Sequence, residues 1–287
     1  MAAKNVTDRK LARQRKLRAA ARRRPGDDFL LARVADDLVW RLEAVNRHFG
    51  QAVLTGPFGL GDEAVPATAV ARFDADALLT GMGVSVVGDE ETLPFASLSA
   101  DLAISFLSLH ETNDTPGVLA QYRRMLLPDG LFLAVMPGGD TLHELRTCLV
   151  EAEAALTGGA SPRILPMIDI RDAGALLQRA GFALPVADLE RITVRYDTMF
   201  DLIRDLRSMG STNALTDRSR RPARREMFAR AAALYAERFA DADGRIRATF
   251  SFLWLSGWAP HESQQKPLRP GEGKISLASV LAGRQTK

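Results

Sequence analysis

Between residues 52 and 136 the chain carries five short apolar runs, at 52–54, 69–73, 85–87, 102–107 and 131–136, each bounded by turn residues. Continuous apolar runs of this length are what strands buried on both faces look like, and such strands belong to parallel sheets covered by helices. The stretch between the last two runs has the spacing of a connecting helix. Val118, Leu119, Tyr122, Met125 and Leu126 fall on one face of residues 115–127, and Pro128-Asp129-Gly130 stops it before the next run. Strand, helix, stop, strand is a βαβ unit. The pattern predicts an α/β fold built on a doubly wound, mostly parallel sheet, in which ligands bind at the carboxyl ends of the strands.

The flanks extend this plan. Phe29, Leu30, Val34, Leu38, Leu42 and Val45 recur at helical spacing behind Asp27 and Asp28, which predicts an amphipathic helix over 27–47. After the fifth run, helices are predicted at 141–156, 172–180, 198–208 and 222–239, and extended segments at 182–186, 191–196 and 247–257. A polar stretch with three prolines follows at 260–273 and reads as a surface loop. The organisation predicted is a basic tail over 1–26, one α/β domain with helical additions over 27–260, and a loop and tail over 261–287.

Charge is distributed unevenly along the 287 residues. The first 24 hold ten Lys or Arg and one acid, Asp8, a net +9, whereas 28 basic residues face 34 acids in the remainder, leaving −6. A short, dense cationic run attracts polyanions, so anionic lipid, nucleic acid and an acidic partner are all chemically open to it. The bland alternative is a solvated, frayed helix. An Arg-rich, acid-poor start also has the composition of a mitochondrial presequence. No apolar run approaches the roughly 20 residues of a membrane span. Cys148, the single cysteine, can form no disulfide within the chain and completes no thiolate zinc site, which fits a reducing compartment. A cytoplasmic location is the expectation, or the mitochondrial matrix if the source is eukaryotic.

Chemistry-bearing motifs gather where the sheet would place them. Gly56, Gly59 and Gly61 sit in a turn after the first strand, where backbone can approach a nucleotide-like ligand; the alternative is a tight structural turn. Asp89 and Glu90 follow the third strand, placed either to accept hydrogen bonds from a ligand's amino or hydroxyl groups or to cap a helix. His110 lies just past the fourth strand. His143 and Glu144 are neighbours in a predicted helix and therefore point in different directions. His143 and Arg146, three apart, share a face that can meet a partner, while Leu142, Leu145 and Leu149 pack on the sheet. His261 and Glu262 lack further ligands at zinc spacing, so no metal site is predicted. Trp254 and Trp258 fall on one side of a strand, as core residues do.

The glycine turn, Gly88-Asp89-Glu90-Glu91-Thr92-Leu93-Pro94-Phe95, Ser99-Ala100-Asp101-Leu102-Ala103-Ile104-Ser105 and Leu126-Leu127-Pro128-Asp129-Gly130-Leu131 occur in the order and at the spacing of class I S-adenosylmethionine (SAM) dependent methyltransferases. Outside that core, Ser108-Leu109-His110 with Asn113-Asp114, the run from Gly138 to Arg146, Met209-Gly210-Ser211-Thr212-Asn213 and Gly257-Trp258 with His261-Glu262-Ser263-Gln264 narrow the match. Over almost its whole length the chain resembles the complex I assembly factor 5 family, relatives of the malonyl-carrier-protein methyltransferases of biotin synthesis.

The resemblance implies SAM as cofactor, a role in respiratory complex I assembly, and modification of an arginine on a partner subunit by hydroxylation or methylation. It implies no nucleic-acid partner, and it leaves peripheral membrane contact open to the basic tail. Cofactor positions implied by the motifs are Gly56, Gly59, Gly61, Asp74, Asp89, Glu90 and Ser105; His110, His143 and Arg146 fall on the substrate or partner side. Two departures bear on the cofactor. Residues 52–55 contain no acid, and the acid expected at the end of the second strand falls near Arg72, leaving Asp74 to replace it. Losing both carboxylates would forfeit charge-assisted hydrogen bonds of about 1.5–3 kcal/mol each, so SAM binding would be weak or lost. Two alternatives follow: a conventional small-molecule or acyl-carrier methyltransferase, and a non-enzymatic chaperone that kept the fold without the chemistry.

Overall fold

A computed structural model describes residues 5–24, 26–57, 64–80 and 83–265. Seven strands form one sheet: β1 (Phe49–Thr55), β2 (Ala67–Asp74), β3 (Val84–Val87), β4 (Ala100–Phe106), β5 (Leu126–Pro137), β6 (Ala183–Tyr196) and β7 (Ile246–Trp258). Their order is β3-β2-β1-β4-β5-β7-β6, and every pairing is parallel except the two made by β7. The five apolar runs of the sequence are thus the five parallel strands, and the crossover from β3-β2-β1 to β4-β5 puts the ligand crevice beside the carboxyl ends of β1 and β4.

The helices are α1 (Arg9–Arg22), α2 (Phe29–Val45), α3 (Ala77–Thr80), α4 (Thr115–Met125), α5 (His143–Thr157), α6 (Ile170–Arg179), α7 (Met199–Ser208) and α8 (Arg225–Phe239). Two buried clusters result, one on each face of the sheet. Leu38 and Leu42 of α2, Leu145 and Leu149 of α5 and Tyr235 of α8 share one with Phe250, Phe252 and Trp254 of β7. Val118, Leu119 and Tyr122 of α4 share the other with Leu177 of α6 and with Phe132 and Leu253 of the sheet. Helices on both faces are what strands apolar on both faces demand.

Three elements depart from the sequence reading, each for a visible reason. Pro128-Asp129-Gly130 lies within β5 as a bulge, because Ala100 pairs with Leu126 while Leu102 pairs with Leu131. Asp129 there takes a left-handed backbone (φ 61°), and its carboxylate and carbonyl both accept from Arg47. The two extended segments at 182–186 and 191–196 are one strand, β6. Its polar middle is satisfied from outside, since Asp188 accepts from Arg41 and Glu190 accepts from Trp254 Nε1 at 3.1 Å; Pro185 is tolerated because the strand is an edge. Helix α5 begins at His143 rather than near 141. Asp140 does not cap it, because the Asp140 carboxylate accepts from Ser251 Oγ at 2.6 Å and pairs with Arg191.

The basic N-terminal segment brings the largest departure. Within the segment expected to be a basic tail or a solvated, frayed helix, residues 9–22 form a helix that is docked rather than solvated. Before it, Thr7 bridges to Leu215, Asp8 N–H donates to the Ala214 carbonyl at 2.8 Å, and Thr7 exchanges two hydrogen bonds with the side chain of Asn113. Ala12 and Ala19 are buried, and Gly210 at the end of α7 approaches so closely that a Cβ there would lie 3.0 Å from Lys16 Cα. Gly210 also has φ +74°, so glycine is required twice over.

Candidate functional site

The crevice is built at four strand ends. Gly56 terminates β1 with φ +114°, and a Cβ there would fall 1.9 Å from the Phe106 carbonyl oxygen at the end of β4. The glycine is therefore needed for close approach of two strands. Gly59 and Gly61 lie outside the described residues. Asp74 is the last residue of β2, opposite Val87, with Arg72 two positions short of the end. Asp74 is buried, its Oδ1 accepts from Ala75 N–H at 2.6 Å, and desolvation pushes its carboxyl above the usual range against the opposing pull of Lys16. Past β3, Asp89 and Glu91 face the same crevice edge, and both pair with Arg9.

Glu90 points the other way. Its Oε1 accepts from Ser108 Oγ at 3.0 Å, from Tyr122 Oη at 3.0 Å and from Ser105 Oγ at 3.3 Å. Burial raises this carboxyl to about 6 despite those bonds and the nearby Lys16 and Arg9. Glu90 and Ser105 are thus brought to each other, and they tie β4 to α4 beneath the crevice.

Helix α1 closes the crevice with one row of cations. Arg9, Arg13 and Lys16, at i, i+4 and i+7, reach Asp89 with Glu91, Asp76, and Glu111 in turn. The Lys16 Nζ to Glu111 Oε2 separation is 2.6 Å, and the Lys16 side chain is only 14% exposed. Glu111 holds Lys16 protonated above its ordinary value, and Lys16 keeps Glu111 ionised against its burial. His110, in the same 3₁₀ turn (Leu109–Glu111), has its Nδ1 buried without a hydrogen-bond partner. Burial, with Lys16 adding to it, pushes the imidazole down to about 4, so it is neutral at pH 7.

Next to the crevice opens a cavity of about 840 Å³. Pro57, Leu107, His110 and Glu111 form its crevice end, and Arg15, Arg18 and Arg22, a second row of α1, form its rim. Leu142, just before α5, and Leu145 and Leu149 of α5 line it rather than packing solely on the sheet. His143 and Arg146 do not line it. His143 stacks edge-to-face on Phe239 at 6.1 Å and lies 3.4 Å from Glu144, whose carboxylate accepts from Thr249. Arg146 turns back on the Thr141 carbonyl at 3.4 Å, with its Nε buried and unbonded. His110 and His143, read together from the sequence as the substrate side, are therefore in different surroundings.

Sequence reasoning missed Lys16, Glu111 and Arg15. The signal was present in the tail, because Arg9, Arg13 and Lys16 fall on one helical face and Arg15, Arg18 and Arg22 on another. Their acid partners lie more than 60 positions away and cannot be read from spacing. Several motifs outside the methyltransferase core also meet here: Asn113 clamps Thr7, Gly210 admits Lys16, and Asn213 Nδ2 donates to the Pro162 carbonyl.

Residues 65–134 match a family model described as a methyltransferase domain. A human protein named arginine-hydroxylase NDUFAF5, mitochondrial, is 38% identical over 288 residues, covering 96% of this chain and 83% of its own length. The chain belongs to the NDUFAF5 family. The zebrafish member is 43% identical over 195 residues, a match that spans 60% of that protein's length. A malonyl-[acyl-carrier protein] O-methyltransferase of Laribacter hongkongensis is 38% identical over 192 residues, 67% of this chain and 62% of the relative. Among solved structures, the YcgJ protein of Bacillus subtilis superposes with a TM-score of 0.53 at 14% identity, covering 78% of this chain and 98% of that one. The fold is that of the SAM-dependent methyltransferases, with β7 inserted antiparallel between β5 and β6.

Proposed function

We propose that this protein binds SAM in the crevice beneath α1 and acts in respiratory complex I assembly by modifying an arginine side chain of a partner subunit. The observation that carries this reading is similarity to the human arginine-hydroxylase over 96% of the chain, which takes in the docked basic helix as well as the methyltransferase core. The donor set fits a nucleoside-bearing cofactor. Asp74 at the end of β2 can accept from ribose hydroxyls and Asp89 from the adenine amino group, while Gly56 lets β1 end close under β4. The cofactor would supply the adenosyl and methionine groups that give the crevice its polar partners.

Binding is weak in this reading. Residues 52–55 offer no acid for the methionine amino group, and Asp89 is already paired with Arg9, so the cofactor competes with an intramolecular cation. Glu90 and Ser105 support the floor of the site through their mutual hydrogen bond rather than by meeting the ligand. In this reading His110, at the junction of crevice and cavity, meets the substrate, while Glu111 beside it stays paired with Lys16. The chain works in the mitochondrial matrix if its source is eukaryotic, as its relatives' names suggest, and otherwise in the cytoplasm.

Mass spectrometry of complex I subunits from cells lacking the protein tests this function. The expected result is a subunit arginine that loses one added oxygen atom, an atom whose insertion consumes dioxygen and two electrons from an external reductant that SAM does not supply; it is regained with the native gene and not with Asp89→Ala. An arginine that loses a methyl group instead would assign methylation. Unmodified arginines in both strains, with assembly still impaired, would leave a chaperone.

A further inference from the structure

The cavity beside the crevice has a chemistry of its own. Eight basic residues line it against two acids, Asp27 and Glu111. Lys16, Arg163 and Arg204 are bound to Glu111, Glu153 and Asp201. Arg15, Arg18, Arg22, Arg24 and Arg207 have no ion-pair partner among the described residues. Arg15 is the most telling of these, because its Nη1 is buried and makes no hydrogen bond. Burial and the like charges of Arg218 and Arg18 hold its guanidinium below the ordinary value, with Asp8 opposing them, and an anion in the cavity would relieve both effects.

Below this rim the walls are apolar. Leu30 and Leu31 of α2, Leu145 and Leu149 of α5 and Phe250 and Phe252 of β7 are each less than a tenth exposed, yet they border the open space. A volume of about 840 Å³ falls within the range of small-molecule sites. A free guanidinium is a poor occupant, since of the two acids Glu111 is already taken by Lys16 and Asp27 alone stands against the unpaired cations.

We infer that this cavity is a binding site for a single-chain anionic amphiphile, its carboxylate or phosphate held by Arg15 and Arg207 and its chain laid along the leucine and phenylalanine walls. Charge complementarity at the mouth and the apolar depth behind it select this class over a cationic or uniformly polar ligand. The inference does not depend on arginine modification, because the ligand occupies the cavity rather than the crevice.

Calorimetric titration of the full chain with dodecanoate below its micelle concentration, beside dodecyltrimethylammonium and dodecyl phosphate, tests it without any partner subunit. Dodecanoate or dodecyl phosphate should bind about tenfold or more tighter than the cationic amphiphile, and whichever anion binds better names the headgroup. Arg15→Gln with Arg207→Gln should cost about tenfold in anion affinity and leave the cationic amphiphile unchanged. The exposed pair Arg18→Gln and Arg22→Gln provides a second variant that perturbs no packing. Equal binding of anionic and cationic chains, or anion binding untouched by both double variants, overturns the site. Binding of poly-glutamate without binding of dodecanoate also overturns it, in favour of an acidic polypeptide. Failure here leaves the arginine-modification reading standing, and loss of that reading leaves this one.

Discussion

The two rows of cations on α1 are made of the same residue types and sit one helical face apart, yet they do opposite things. Arg9, Arg13 and Lys16 each find an acid contributed by the sheet edge, whereas Arg15, Arg18 and Arg22 face open space with no ion-pair partner among the described residues. Where every charge is matched, the row acts as mortar between helix and crevice. Where charges are concentrated and unmatched, the fold maintains a potential for something outside itself. Side-chain identity alone does not separate a structural cation from a functional one; the local balance of charge does.

Removing the helix has the largest expected effect on the matched row. Deleting residues 1–24 strips Glu111 of Lys16 and exposes the surface under Ala12 and Ala19, and we expect a stability loss of about 3–5 kcal/mol in urea unfolding. An unchanged midpoint would return the segment to a solvated tail. Lys16→Met isolates the central contact, and it should cost about 1–2 kcal/mol because Glu111, 23% exposed, is left without its cation. Adding Glu111→Leu should restore most of that loss, since no orphan charge then remains. Gly210→Ala, which sets a methyl group against the Lys16 backbone at positive φ, should cost about 1–2 kcal/mol.

The pH dependence sharpens the same boundary. His110 titrates lower in the folded chain than in the unfolded one, about 4 against an ordinary 6.5, so its contribution to stability is complete above pH 6.5 and is lost as pH falls toward 4. Glu90, raised to about 6, acts in reverse: its contribution is present below about 4.5 and is lost as pH rises through 6. His110→Phe should therefore flatten the fall in melting temperature on acidification, and Glu90→Gln should steepen it. Melting curves from pH 7 to 4 that overlay for native and His110→Phe protein would contradict the buried, unpartnered imidazole. The smallest effect belongs to the cavity row: Arg18→Gln should change stability by no more than about 0.5 kcal/mol.

Much of the sheet could be read from the chain because its signals are local. The run at 52–54 lies inside β1 and the run at 102–107 overlaps β4 from Leu102 to Phe106, and Thr115–Met125 follows directly from the spacing of Val118, Leu119 and Tyr122. Helix α1 could not be placed because it buries only two alanines, giving no apolar stripe, and its attachment rests on acids brought near by the sheet. Glu90 shows the same limit at one residue. Asp89, Glu90 and Glu91 are adjacent and equally acidic, but the turn after β3 sends the middle one under β4, toward Tyr122, and its neighbours toward Arg9. Direction is set by the turn, and charge patterning does not encode it.

Whether the matched row of α1 closes a working cofactor crevice is measured by titration of the purified chain with SAM. Saturable binding at about 10–100 μM is expected, weakened several-fold further by Asp89→Ala, because the ligand must displace Arg9 and finds no acid on β1. Submicromolar binding that Asp89→Ala leaves unchanged, or no binding at millimolar SAM, would contradict it.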